Sequence, residues 1–264
     1  MIVDVAQRWR DRRSTYRPAG EPIVTSRYEV AAIPDDTTAR RFVEQHHYER
    51  SLGAARFRAG LFRAGELVGV AVLTHPSSEA ALEKALPLPC ERLAKTELGR
   101  LVLLNDVPSN GESWFVARVF ELARLEGFEA IVSHADPEPR TDIAGGEVFL
   151  GHYGGIYQAL NAVYRGKTNP STIRLLPDGH VLNNRTIGKL RKRERGFEPV
   201  VEQLVAFGAP PPSGDWRTWV RAAVAATTRP VRHRGKHRYV WALDRRLRRH
   251  LPDSMRYPKL EVRA

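Results

Sequence analysis

Cysteine is almost missing from this chain: Cys90 stands alone among 264 residues, which excludes an internal disulfide and any zinc site built on several thiolates. Set between Pro89 and Glu91, it reads as structural filler. Long apolar runs are missing too. No stretch approaches the ~18 consecutive apolar residues of a membrane-spanning helix. The opening Met1-Ile2-Val3-Asp4, followed by Arg8, Arg10, Arg12 and Arg13, lacks a secretory apolar core. The expectation is a soluble, cytoplasmic protein with no membrane partner. Acidic residues are scarce in one region only. From Arg185 onward there are 20 Lys and Arg against 7 Asp and Glu, while the first 184 residues hold 22 against 23. The net charge of +12 is therefore all C-terminal. Such segregation points to a polyanion, with nucleic acid the commonest candidate; a solubilising tail or contact with anionic lipid are the plainer alternatives.

The length suits one main domain with an appendage. Residues 1–28 read as a basic, proline-punctuated arm anchored by Trp9 and Tyr16, residues 29–195 as the catalytic domain, and residues 196–264 as a basic extension that contributes a strand and nucleic-acid contacts. Asp35-Asp36-Thr37-Thr38 opens a partly exposed helix that closes at His46-His47-Tyr48. Strands over 56–63 and 67–74 flank Ala64-Gly65-Glu66, a hairpin signature. Residues 75–95 are a loop or short helix, and 97–104 resumes as a strand with Arg100 among apolar neighbours. Ser109-Asn110-Gly111-Glu112 has the form of a capping box before a helix over 113–125 that stops at Gly127. A strand over 128–133 follows. Strand, helix, strand in this order is a βαβ unit, and its helix start offers backbone N–H groups to an anion such as a cofactor phosphate; Ser109 and Glu112 acting as a cap alone is the structural alternative. Later come a hairpin around Pro177-Asp178-Gly179, a basic helix over 187–195, a proline linker at 210–214, a helix over 216–226 and a strand over 236–243. The class is α/β with a mixed sheet.

The densest chemistry lies in Ser133-His134-Ala135-Asp136 and in the run from Gly151-His152 to Asn161. An acid just past a strand end and Tyr157 in the next helix can converge on one crevice, where open α/β sheets place ligands. Asp136 as a turn cap and Tyr157 as a core aromatic is the bland alternative.

These elements, in this order, resemble the acyl-CoA-dependent N-acetyltransferase (GNAT) fold, here with a basic C-terminal extension. More narrowly, the motifs resemble the Mom family of phage DNA-modification proteins. The residues that carry this are Glu97-Leu98-Gly99-Arg100-Leu101, Asn110-Gly111-Glu112-Ser113, Ser133-His134-Ala135-Asp136, Gly151-His152 with Gly155-Ile156-Tyr157-Gln158-Ala159 and Asn161, Lys236-His237-Arg238-Tyr239, and Tyr257-Pro258-Lys259. The resemblance implies conversion of adenine in DNA to N6-carbamoylmethyl-adenine, which shields phage DNA from restriction enzymes. It implies acetyl-CoA or a related acyl donor, with Ser109, Asn110, Gly111 and Ser113 near its phosphates and Arg100, Ser113, Asp136 and Tyr157 as the functional set. Residues 137–150 form a longer connection than the family's usual one, which suits a specificity loop or lid.

The residue chemistry is compatible. A phenol suits the role of acid toward a thiolate, and Asp136 that of base or amine-orienting acceptor. Arg100 should meet a carboxylate, Asp136 or Glu97, or a ligand phosphate; a structural salt bridge is the alternative. Double-stranded DNA would be gripped by Lys189, Arg191, Lys192, Arg193, Lys236, Arg238, Arg245 and Arg246, with Trp216 and Trp219 as stacking surfaces and Tyr239 and Trp241 as core. His46, His47 and His152, with Tyr48, His134 and Asp136, could hold a metal such as iron if the fold gathers them, although no spacing signature supports it and the expectation is no metal. A homodimer is left open. An acetyltransferase acting on tRNA or protein, and a non-catalytic DNA-binding protein on the same fold, are the competing functions.

Overall fold

The chain forms a mixed seven-stranded sheet whose apolar strands need cover on both faces, and helices supply it on each. The structure, a computed structural model, describes residues 5–11, 13–18, 20–49, 51–76 and 78–259. The chain divides into two units, one of residues 1–137, 151–168 and 236–264, the other of residues 138–150 and 169–235. The second is thus inserted twice into the first, and the expected boundary at residue 195 falls inside it.

The first unit begins with a hairpin, β1 (Val5–Arg10) and β2 (Arg13–Pro18), in the segment read as an arm. The side chains of Trp9, Arg10 and Arg13 lie outside what is described. There follow β3 (Tyr28–Ala32), α1 (Asp36–His46), β4 (Ala55–Arg63), β5 (Glu66–Thr74), α2 (Glu79–Ala85), β6 (Lys95–Leu103), α3 (Gly111–Leu125) and β7 (Ala130–Ala135). Asp35 caps α1 as its sequence suggests, accepting from the Thr37 and Thr38 N–H groups at 2.7 and 3.2 Å. The chain then enters the second unit as β8 (Arg140–Thr141) and β9 (Glu147–Phe149), and returns to the first for α4 (Gly155–Ala159) and β10 (Val163–Lys167). It re-enters the second as β11 (Ser171–Leu175), β12 (Val181–Leu182), α5 (Asn184–Lys192), α6 (Glu198–Ala206), α7 (Trp216–Thr227) and β13 (Arg229–His233), and closes the first with β14 (His237–Ala242) and α8 (Arg245–Arg248).

The large sheet has the order β10-β14-β7-β6-β5-β4-β3. All its pairs are antiparallel except β6 with β7. One face packs on α3 and α4 through Phe115, Val119, Ile131, Tyr157 and Tyr239. On the other face, Val70, Val72 and Val102 pack on α1, and Ala130, Val132 and Val240 on α2 and α8. The mixed α/β class expected from the sequence is the class observed.

The second unit has its own core, in which Leu190, Leu204, Trp219, Val220 and Ala223 join α5, α6 and α7. The basic helix starts three residues earlier than the pattern predicts, because Asn183 caps it through the Thr186 N–H at 2.8 Å, and it ends where Arg193 turns left-handed with φ of 53°. The helix α6 is unpredicted. Its apolar face, Val200, Val201, Leu204 and Val205, is short and preceded by Gly196, a stop signal. No helix among the described residues is long and apolar enough to cross a membrane.

Candidate active site

The strands β6 and β7 run side by side for only three residues, Lys95 with Ala130, Thr96 with Ile131 and Glu97 with Val132. Beyond Val132, β7 keeps its antiparallel partner β14 as far as Ala135 with His237, while β6 continues against β5. The two strands therefore part, and a slot opens at their C-terminal ends. A bulge contributes on β6: Val72 pairs with Arg100 and Leu73 with Leu98, which leaves Gly99 as the extra residue. A Cβ at Gly99 would lie 2.6 Å from Thr74 Oγ1, so only glycine allows this close approach.

Ser133 lies on β7 beside the slot and donates from Oγ to the Leu98 carbonyl at 2.9 Å, replacing a ladder bond that the parting strands lost. Tyr157 on α4 faces it. This phenol is buried. Burial is the main cause that raises its pKa to about 12, against a lowering contribution from the Ser133 side chain, with the charges of Glu112 and Glu97 raising it further. Its ring lies 5.3 Å from Tyr239, 5.5 Å from Trp241 and 6.4 Å from His152. Tyr239 and Trp241 are core, as their strand pattern implies.

Asp136 follows β7 directly and is buried, with 3% of its surface exposed. Its carbonyl accepts from the His152 N–H at 2.7 Å, and Lys236 Nζ stands 4.0 Å from its carboxylate. Gly151 makes the return possible. Its φ is +79°, and a Cβ there would come within 2.6 Å of the Pro137 carbonyl. The long connection after Asp136 is thus closed at its base, which sets His152 beside the acid.

On the opposite face of the strand ends, Glu97 meets His134 Nδ1 at 3.0 Å. Burial pushes the Glu97 carboxyl up, but the His134 bond and the charges of His134, Lys236 and Arg100 outweigh it and hold the carboxyl below its ordinary value. Arg100 reaches this field without a direct carboxylate bond among the described residues. It donates to the Ser51 carbonyl at 2.6 Å, to Ser51 Oγ at 3.1 Å and to the Gly99 carbonyl at 2.6 Å. Of the acids expected as its partner, Asp136 and Glu97, neither bonds it directly among the described residues, although its charge acts on Glu97, because the bulge aims Arg100 at the loop after α1. His47 closes that side. It is buried, and its imidazole is held well below its ordinary pKa by burial, by Arg100 and by His152.

The start of α3 differs from the expected capping box. The N-cap is Asn110, and its side chain does not cap. Residues 21–23 take the polar groups instead: Ser109 Oγ accepts from the Glu21 N–H at 3.0 Å, the Ser109 N–H donates to the Glu21 carboxylate at 3.2 Å, and Asn110 Oδ1 accepts from the Ile23 N–H at 2.7 Å. Glu112 faces Arg8 of the N-terminal hairpin, with Nε 3.3 Å from its carboxylate. Arg8 is fully buried and also donates to the Pro108 carbonyl at 2.7 Å. Among the described residues no acceptor engages the Glu112 and Ser113 N–H groups, so two first-turn donors remain for an anion. Ser113 itself donates to the Asn110 carbonyl at 3.0 Å.

Sequence reasoning picked Asp136, Tyr157, Arg100 and Ser113, weighed Glu97 only as a partner for Arg100 and His134 and His152 only as metal ligands, gave Ser133 no role of its own, and read Lys236 as a DNA contact although it stands beside Asp136. Arg238 likewise turns inward and donates to the Arg165 carbonyl at 3.1 Å. Strand parity from Leu98 and Val132 would have placed Glu97 and His134 on one face. Of the histidines weighed as metal ligands, His46 faces Asp11 at 3.4 Å and His47 accepts from the Glu49 N–H at 2.9 Å. No group of three His, Cys, Asp or Glu suited to a metal occurs among the described residues. Trp219 cannot stack on bases, because it is buried and its indole N–H donates to the Pro210 carbonyl at 2.9 Å. Trp216 stacks on it at 5.0 Å and carries Arg193 over its ring at 4.3 Å. Arg191, Lys192, Arg193, Arg245 and Arg246 are exposed, and Lys189 is half-buried.

A family model described as the Mom protein family matches residues 27–259. No curated protein matches the chain. Among solved structures, a Bacillus subtilis acetyltransferase in complex with CoA is similar at 8% identity and a TM-score of 0.36, over 81% of this chain and 98% of that one. An IAA acetyltransferase from Bacillus cereus gives 8% and 0.34, over 81% and 99%. N-acetylglutamate synthase from Neisseria gonorrhoeae, complexed with coenzyme A and N-acetyl-glutamate, gives 12% and 0.34, over 83% of this chain and 35% of that one.

Proposed function

Because the chain belongs to the Mom protein family, we propose that it is a GNAT-like transferase that modifies the N6 amine of adenine in DNA, with carbamoylmethyl as the group added and protection of phage DNA from restriction as its purpose. The observation that carries the reading is the slot between β6 and β7, with a protonated phenol on one flank and acids at the strand ends. The residues fit an acyl-CoA-type donor: the parting strands leave room for an extended arm, and the Glu112 and Ser113 N–H groups at the start of α3 suit a phosphate. Such a donor would supply a carbon bonded to sulfur: the N6–carbon bond would form as that carbon–sulfur bond breaks and the thiol leaves, and for a carbamoylmethyl product that carbon would be the methylene of an S-linked carbamoylmethyl group, since a thioester carbonyl would give an N6-acyl adenine instead.

The chain's own residues do the rest. The adenine amine is conjugated into its ring, so it must be positioned and relieved of a proton. Asp136, steadied by Lys236, orients the amine, and the Glu97–His134 pair takes the proton. Tyr157 gives its proton to the leaving sulfur, and its raised pKa keeps that proton in place until then. Arg100 braces the loop at Ser51 that flanks the slot. A base in duplex DNA reaches such a site only when flipped out of the stack. Exposed Arg191, Lys192 and Arg193 on α5, and Arg245 and Arg246 on α8, suit its phosphates.

The test is nucleoside mass spectrometry of plasmid DNA from cells making this protein, beside a Tyr157→Phe variant of equal yield and fold. The expected result is a deoxyadenosine adduct of carbamoylmethyl mass that the variant lacks. Unmodified DNA from folded wild-type protein would overturn the reading and direct the search to another amine.

A further inference from the structure

We propose that the inserted unit contains a second binding pocket, lined by none of the transferase-site residues, that takes a sugar-phosphate group. A cavity of about 190 Å³ lies between β8, β11 and β13. A single water needs only ~10–15 Å³, so a polyatomic group fits there. Three arginines and a histidine line it, Arg140, Arg229, Arg232 and His233, against one acid, Glu138.

The cations are disposed to hold an anion. Arg140 is buried, and its guanidinium lies over the Phe149 ring at 4.2 Å, which fixes its plane. Buried His233 accepts the Gly235 N–H on Nδ1 at 3.0 Å, so the neutral ring carries its proton on Nε2. The acid faces Arg234, whose Nε is 3.9 Å from the Glu138 carboxylate. Arg229 and Arg232 are exposed on β13, an edge strand, and no carboxylate pairs with either among the described residues. An anion would supply the partner that Arg229 and Arg232 lack among the described residues, and guanidinium groups meet phosphate oxygens in a bidentate fork.

The floor narrows the ligand class. Ile173, Leu175 and Val231 line the pocket with apolar surface, on the same face of the β11–β13 pair as Arg229. A bare hydrated phosphate gains little there, whereas a phosphate ester can lay its sugar on that floor. A DNA strand and a free nucleotide share this chemistry. The preference for DNA as the source rests on the adenine-modification reading; the pocket itself does not.

The test uses the full chain and the double variant Arg229→Ala/Arg232→Ala, both exposed positions, with Arg217→Ala/Arg221→Ala on α7, also exposed, as a charge-matched control. Binding of deoxyadenosine monophosphate and of inorganic phosphate is followed by calorimetry, and that of a short duplex by anisotropy at several salt concentrations. Wild type should bind the nucleotide more tightly than phosphate. The pocket variant should lose about tenfold or more in nucleotide affinity, as expected for lost charged hydrogen bonds, while the control keeps it. If DNA is the source, the pocket variant also weakens duplex binding and its salt slope falls by about one to two. Loss of nucleotide binding with duplex binding intact identifies a free nucleotide as the ligand. No nucleotide binding by wild type, or equal losses in both variants, overturns the pocket. Wild-type protein that binds nucleotide yet leaves plasmid DNA unmodified would overturn the transferase reading alone.

Discussion

Replacing Arg8 with methionine removes a cation that is fully buried against Glu112 and leaves that carboxylate without its 3.3 Å partner. Burial already raises the Glu112 pKa, and Arg8 is the charge that lowers it. Breaking one side of a buried pair typically costs about 3–5 kcal/mol. The Glu112 side chain keeps 18% of its surface exposed, so the lower end, about 3 kcal/mol, is expected here. For a chain of this size that is a fall of about 6–12 °C in Tm. The sign with pH follows from linkage. With Arg8 gone, the folded-state pKa of Glu112 rises further above its unfolded value of about 4.3. The protonated form is neutral and tolerates burial, so the deficit is smallest near pH 4 and grows as pH rises through the folded pKa. Urea midpoints of Arg8→Met, Glu112→Gln and the double variant at pH 5 and pH 7.5 measure this. The double variant should recover a large part of the loss. A deficit below about 0.5 kcal/mol in Arg8→Met, or one that is independent of pH, would refute the reasoning. The same variant loosens the first turn of α3, so calorimetry should show weaker CoA binding.

Three other outcomes are expected. Since Tyr157 keeps its proton to about pH 12, a pH–rate profile should show no alkaline limb below about pH 10 that disappears in Tyr157→Phe; finding one would remove its role as the acid. Gly151→Ala places a Cβ 2.6 Å from the Pro137 carbonyl at a φ of +79° and should cost about 1–3 kcal/mol, with larger losses of modification than of global stability; a neutral effect on both in denaturation and mass-spectrometric assays would contradict the tight return to Asp136. His237, buried and 2.7 Å from the Tyr164 hydroxyl, has its pKa lowered to about 4 by burial first and Lys167 second. It stays neutral in the fold, so its contribution to stability is present above its unfolded value of about 6.5 and is lost as pH falls toward 4. An NMR titration with a midpoint near 6.5 would disprove this.

The sequence by itself determined what local chemistry decides. The Asp35 cap, the hairpin through Ala64 and Gly65, the mixed α/β class and the motifs that carry the family resemblance are all legible in residue order, because caps, turns and alternation act over a few residues. That Tyr157 lies on the helix following the strand that ends at Asp136 was legible for the same reason: both follow one strand. What lay beyond reach depends on contacts between distant segments. The capping box failed because Glu21 and Ile23 satisfy Ser109 and Asn110 from about 88 positions away, and local spacing carries no trace of such competition. Arg100 missed its expected acid because a bulge at Gly99 turned it toward Ser51. Lys236, one more basic residue in a basic region, stands beside Asp136 because β14 pairs with β7 across some hundred residues of chain. The inserted unit was invisible as a unit, since residues 138–150 and 169–235 are separated in sequence and only the tertiary structure gathers them. Side-chain identity fixes what a group can do, while long-range pairing, which repays loop closure only when the whole sheet forms, decides which groups meet.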